Sequence, residues 1–277
     1  MADYAKFSNF KVSAPAEYVL HVEINRPKKM NAFNQMTWSQ LRQIFEQVSL
    51  DSNFRVVLLS GVGDHFTSGL ELSPKFADEI GLDGTERGRF KLRTHIRDFQ
   101  DAISSIEKCS KPVVGIAHGL CYGLAVDILC ATDIRICTAD VRFSVKEVDI
   151  GLAADIGTLQ RLPKIVRSMS WVKEVVYTSR EFGASEAEIQ GLVSRVVESR
   201  TSKIQAIEVA LDLAKTIAKK SPVGVQGSKY IVNYSEGRTI QDGLDFTAAW
   251  NAFAIGTDMV DAVKAKINKK PVKFSKL

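Results

Sequence analysis

Short apolar runs of strand length alternate with helical patterns through the first two-thirds of the sequence, and then the strands stop. Residues 18–24 read as a strand, 36–48 as an amphipathic helix and 55–60 as a buried strand, followed by a turn-rich stretch from Gly61 to Gly69. A second cycle brings a helix over about 89–108, a strand at 112–117, a glycine-containing turn, a short helix near 125–131 and a strand at 134–138. Strands that are separated by helices must pair across crossovers, which predicts an α/β core. After Pro163 the period turns helical, over 171–178, 203–219, 222–234 and 239–257, and LVSRVV at 192–197 is the last strand-like run. Pro222 after Ser221 suits a first helical turn, and Gly183 with Ser185 marks another helix start. The expected organisation is therefore an α/β region over 1–197 and an all-helical region over 198–277. That second region must pack on the core or on a neighbouring subunit to cover its apolar faces.

Several function classes fall away on composition and motif. The 277 residues carry 45% hydrophobic side chains and a net charge of +5, with Lys and Arg spread along the chain. The one local basic cluster is Lys264, Lys266, Lys269, Lys270 and Lys273. No run approaches the roughly 18 apolar residues that a membrane span needs, and no nucleic-acid motif accompanies the mild positive charge. Cys109, Cys121, Cys130 and Cys137 form no CxxC pair, so buried reduced thiols are expected rather than a zinc site or a redox dithiol. His21, His65, His95 and His118 belong to no HExxH pattern and no visible Ser/His/Asp set, and the GVG at 61–63 is not a dinucleotide or phosphate-binding loop. No metal and no separate cofactor are expected. The last three residues, Ser275, Lys276 and Leu277, spell the tripeptide read by the peroxisomal import receptor.

Two turns and a group of acids carry the chemistry. HFTSGLEL at 65–72 follows the strand VVLLS, and HGLCYGLAVD at 118–127 follows VVGIA. A strand that passes through Gly into a helix leaves backbone N–H groups unpaired, and such groups can hold a developing oxyanion. The same pattern also fits a plain strand-to-helix connection. Asp127 lies in the apolar run AVDILCA, and Glu147 and Asp149 lie in FSVKEVDIGLAAD, which Asp155 closes. Acids in apolar surroundings require a partner or a function. Structural roles are open to each: Asp155 as the cap of the helix beginning IGTLQRL, Asp127 as a helix-start residue, Glu147 as a surface partner of Lys146 or Arg142.

Four separated segments, NRPKKMNAFN at 25–34, FTSGLEL at 66–72, HGLCYGLAVDILCATDIRICT at 118–138 and GLAADIGTLQRLP at 151–163, together resemble the crotonase superfamily of enoyl-CoA hydratases and isomerases. The last segment is particularly similar to the branch that isomerises 3,5-dienoyl-CoA to 2,4-dienoyl-CoA. The resemblance implies a spiral of ββα units with a C-terminal helical trimerisation region, assembled as a homotrimer or as paired trimers. It places the two oxyanion-hole amides on Leu70 and Leu124 and the paired acids on Asp127 and Glu147, twenty residues apart. Asp155, eight residues further on, is similar to the additional carboxylate of the dienoyl branch. Hydratases usually carry Glu where this chain has Asp127, and a run of glycines is common where it has GLAVD, so Leu124 and Ala125 must be accommodated near the thioester. Coenzyme A is implied as part of an unsaturated fatty acyl-CoA substrate, with Arg26, Lys28, Lys29 and Ser68 in the loops that would meet it and the tail lysines as further point charges.

The resemblance implies proton removal at C2, a dienolate held at the thioester oxygen, and proton delivery at C6. Glu147 is the candidate for C2 and Asp155 for C6, with Asp127 tuning the site and the two labels exchangeable. A 3,2-enoyl-CoA isomerase, a hydratase, or a noncatalytic RNA-binding protein of the same fold remain alternatives at this stage; the third acid favours the dienoyl reading.

Overall fold

A computed structural model describes residues 3–72, 84–198 and 202–277. The chain opens with an antiparallel hairpin of β1 (Phe10–Ala16) and β2 (Tyr18–Ile24). Helix α1 (Gln35–Leu50) follows, with the Asn34 side chain accepting from the Thr37 N–H at its start. Its buried residues Trp38, Leu41, Ile44, Phe45 and Val48 recur at the spacing of one helical face, which faces the core. Strand β3 (Phe54–Gly61) is buried along its whole length, as a central parallel strand covered on both faces must be.

The next units make the spiral. After α2 (Glu86–Lys108), β4 (Val113–Ala117) enters the large sheet, β5 (Leu120–Tyr122) the small one, and the chain turns into α3 (Leu124–Cys130). The pattern repeats with β6 (Ile134–Thr138), β7 (Arg142–Ser144) and α4 (Thr158–Ile165). Then come α5 (Met169–Thr178), β8 (Phe182–Gly183), α6 (Ala184–Gln190) and β9 (Arg195–Val197). The six-stranded sheet has the order β1-β2-β3-β4-β6-β9 and the three-stranded sheet the order β5-β7-β8. All pairings in the large sheet beyond the first hairpin are parallel.

One face of the large sheet packs against α1, α2 and α3 through Leu20, Val22, Ile24, Val57 and Leu59. The other face carries Val19, Val56, Leu58, Val114, Ile116 and Ile136 and is covered by α7 (Ser202–Ala218). That helix presents Ala206, Ala210, Ala214 and Ala218, one per turn, so its backbone can lie close to the sheet. The first helix of the expected C-terminal region is thus a layer of the core. α8 (Pro222–Ser235), α9 (Ile240–Ala254) and α10 (Thr257–Ile267) lie beyond it.

Ser221 caps α8 and Pro222 occupies its first turn, as the sequence predicts. The single helix expected over 239–257 is corrected: it ends at Ala254, the chain leaves helical geometry at Ile255 and Gly256, and a new helix begins at Thr257. Glycine at that position favours the break. Strands β1, β5, β7 and β8 went unanticipated. β1 is an edge strand with mostly polar or exposed positions, and the other three have three residues or fewer, too short to show a period. All four cysteines are buried and free. Among the described residues no helix is long and apolar enough to cross a membrane.

Candidate active site

The two glycine turns are laced together. The Phe66 N–H donates to the His118 carbonyl at 2.9 Å, the Thr67 N–H to Leu120 at 3.2 Å, and the Tyr122 N–H returns to Thr67 at 3.2 Å. Gly69 adopts φ +99 and Gly123 φ +51, both in the region where a side chain strains the backbone. At Gly69 space is also closed, since a Cβ would sit 2.8 Å from the Tyr122 carbonyl oxygen.

This geometry frees two amides. Leu70 bridges Phe33 in parallel register, a pattern that uses its neighbours' groups: Phe33 N–H donates to Gly69 and Glu71 N–H to Phe33, both at 2.8 Å. The Leu70 N–H therefore points the other way, and it has no acceptor among the described residues. Leu124 is the first residue of α3, where an N–H lacks an intrahelical partner. Its nitrogen lies 3.7 Å from where a Gly69 Cβ would be, so the two donors are neighbours. Both residues line a cavity of about 190 Å³.

The same cavity is lined by Asp127, Glu147 and Asp155. Asp127 is 1% exposed, and its Oδ1 accepts from the Thr158 N–H at 2.6 Å. It is Asp127, not Asp155, that satisfies the start of α4, whose cap position is Gly157. Burial first, then the charge of Glu147, pushes the Asp127 carboxyl up to about 7. Among the described residues Glu147 forms no surface ion pair: Lys146 pairs with Asp149 and Arg142 with Glu181. Its Oε2 is buried without a hydrogen-bond partner among the described residues, and burial followed by the charge of Asp155 raises its pKa. Burial also raises Asp155, with His95 opposing. Two of the three structural roles open to these acids are thereby removed, and all three carboxyls hold protons more tightly than usual.

Helix α2 supplies a wall that the sequence reading passed over. Leu92, His95, Ile96 and Phe99 line the cavity from it, and Leu152 and Ile156 add further apolar lining. His95 meets Trp38 edge-on, with ring centroids 5.4 Å apart. The available signal was the 92, 95, 96, 99 spacing, which marks one helical face but not what that face lines.

Among the residues expected to meet coenzyme A, Ser68 lines the cavity. Arg26 is turned inward, donating to the Ala32 carbonyl and pairing with Glu71 at 2.7 Å. It holds the loop to the first glycine turn, and Lys28 and Lys29 are left as the exposed cations there. Lys29 also approaches Glu71, at 3.4 Å. Glu71 thus anchors that loop.

The profile of the enoyl-CoA hydratase/isomerase family matches residues 15–250. The mitochondrial Delta(3,5)-Delta(2,4)-dienoyl-CoA isomerase of Rattus norvegicus is 43% identical, over 98% of this chain and 84% of that protein. The peroxisomal enzyme of the same name from Arabidopsis thaliana is 39% identical, over 94% of this chain and 93% of its own. In fold, a crystal structure described as a putative enoyl-CoA hydratase from Streptomyces coelicolor superposes with a TM-score of 0.87 at 23% identity, covering 99% of this chain and 97% of that one.

Proposed function

The chain belongs to the enoyl-CoA hydratase/isomerase family, and we propose that the reaction it catalyses is the conversion of 3,5-dienoyl-CoA to 2,4-dienoyl-CoA in fatty-acid β-oxidation. The observation that carries this reading is the third carboxylate, Asp155, in one cavity with Glu147 and two unpaired amides. Shifting two conjugated double bonds takes a proton from C2 and returns one at C6, four bonds away. A single carboxyl serves a one-bond shift; two serve this one.

In the proposed step Glu147 removes the C2 proton, and the electron pair moves through the thioester carbonyl to its oxygen. The Leu70 and Leu124 N–H groups hold that charge, each contributing about 3 kcal/mol. The pair then returns along the chain as C6 takes the proton of Asp155. One base and one acid are needed at the outset. The charge of Asp155 raises Glu147, and such coupling favours a shared proton, because ionising both at once is costly in a buried site. Asp127, raised and tied to Thr158, shapes the field around Glu147. The reaction so drawn calls for no cofactor beyond the coenzyme A of the substrate, for which Ser68, Lys28 and Lys29 are the candidate contacts, with Arg26 supporting their loop.

Two further readings accompany this one. The exposed apolar residues of the last helices support a homotrimer or paired trimers. The terminal Ser275, Lys276 and Leu277 support peroxisomal import through the tripeptide receptor.

The test is to follow the absorbance of the conjugated product from 3,5-dienoyl-CoA, 3-enoyl-CoA and 2-enoyl-CoA. The dienoyl substrate should give the highest kcat/KM. Asp155→Asn should slow it by roughly 10²-fold or more, and Glu147→Gln at least as much. Undiminished dienoyl turnover in Asp155→Asn would leave a single-carboxyl enoyl-CoA isomerase as the better description.

A further inference from the structure

Helix α2 carries a second stripe beside the one that lines the cavity. Gln100, Ser104 and Glu107 follow one another at four and three residues, and so share one face. That face holds the segment from Asp155 to Arg161. The Gln100 Nε2 donates to the Asp155 carbonyl oxygen at 2.6 Å. The Ser104 hydroxyl accepts from the Arg161 guanidinium at 2.9 Å, and the Glu107 Oε2 accepts from it at 3.0 and 2.7 Å. Between these ties, Asp127 accepts from the Thr158 N–H. Arg161 lies so close to Gly157 that a Cβ there would fall 2.0 Å from its Nη1.

The Asp155 carboxyl itself has no hydrogen bond to another side chain among the described residues. Its place in the cavity therefore follows from its backbone, and the Asp155 carbonyl is the nearest point at which that backbone is held. A carboxyl that must reach C6 while another stands at C2 has little freedom, since a misplacement of ~1 Å costs about 10²-fold in rate. We propose that Gln100 is a positioning residue for proton transfer at C6, its amide fixing the Asp155 backbone while Ser104 and Glu107 fix the far end of the segment through Arg161. Only the amide N–H₂ can face a carbonyl oxygen, so the orientation of Gln100 is set by its partner.

The inference rests on the reading that Asp155 serves C6, and a double-mutant cycle separates the two. kcat and KM for 3,5-dienoyl-CoA are measured for the full chain and for Gln100→Leu, Asp155→Asn and the double variant. Gln100→Leu should lower kcat by about 10- to 10²-fold with KM within about threefold. Introduced into Asp155→Asn, it should cost less than about threefold more, because the group it positions is gone. Wild-type kcat in Gln100→Leu, or an equal loss in both backgrounds, overturns the positioning role. If Asp155→Asn alone keeps its rate, the assignment of Asp155 to C6 fails first and the inference with it. Gln100→Glu guards against a folding defect: it keeps the volume but sets an acceptor against the carbonyl. Its kcat relative to wild type should recover as pH falls and the new carboxyl protonates and donates. A relative loss that stays flat with pH counts against the proposal.

Discussion

Asp127 shows how one residue can carry both structure and electrostatics. Its carboxyl is fully enclosed, ties the start of α4, and is pushed up to about 7. In the unfolded chain an Asp titrates near 3.9. The folded state thus binds the proton more tightly, and the stability this group contributes is present below about pH 4 and lost as pH rises through about 7. The difference corresponds to about 4 kcal/mol. Asp127→Asn keeps an acceptor for the Thr158 N–H and stays neutral. It should be more stable than the parent at pH 8, by an amount that shrinks steadily as pH falls toward 4. Denaturant unfolding across that range checks it, and a pH-independent difference would show that the burial of charge is not the cause. The sequence placed this acid in an apolar run but not which helix it caps. The expected capping role of Asp155 failed because capping depends on which oxygen the fold brings to the Thr158 N–H, and that contact spans 31 residues.

Among the elements, the two glycine turns matter more than any helix. The second was legible as a strand running through Gly into a helix, because φ above zero and close approach are demands that few residues meet; at the first, Leu70 bridges Phe33 instead of opening a helix. Their mutual lacing was not, since it joins residues more than fifty positions apart. Gly69→Ala should strain φ +99 and press against the Tyr122 carbonyl, turning the Leu70 N–H away from the oxyanion. A loss of 10²- to 10³-fold in kcat with little change in KM is expected, and steady-state kinetics beside a thermal melt would read it. Leu124→Ala is the contrasting change: it keeps the amide and removes bulk beside the thioester. It should retain turnover and alter the acyl chain lengths accepted, and an equal loss in both variants would mean that the side chain, not the amide, matters at 124.

For the whole molecule the question is what covers the last helices. Phe253 is 93% exposed and Ile240 84%, with Leu244, Ile255, Met259 and Ile267 exposed around them. A surface of this kind is rarely left to water. Phe253→Asp should shift the native mass toward the monomer, measured by light scattering, and an unchanged mass would place the subunit contact elsewhere. The chain's end is held differently. Arg55, stacked on Tyr18 with 3.9 Å from guanidinium carbon to ring centroid, donates to the carbonyls of Phe274 and Ser275. The Leu277 side chain stays exposed. Removing residues 275–277 should leave turnover intact and strand a fluorescent fusion in the cytosol. Import of the truncated protein would point to another signal or to carriage by a full-length partner.

The sequence by itself determined the longer central strands and most helices, the two glycine turns, the acids in apolar surroundings and the helical C-terminal region, because period, turn chemistry and isolated charge are local properties. It missed the separate final helix, the strands β1, β5, β7 and β8, and the α2 wall. Only the tertiary structure decided that Leu70 and Leu124 line one cavity, that Asp127, Glu147 and Asp155 share it, and that Gln100 holds the backbone of one of them. Those facts depend on segments 30 to 60 residues apart meeting within hydrogen-bond distance, as Thr158 meets Asp127 and Gln100 meets Asp155. Distances of that kind are fixed by the packing of the spiral, and no local pattern in the chain encodes them.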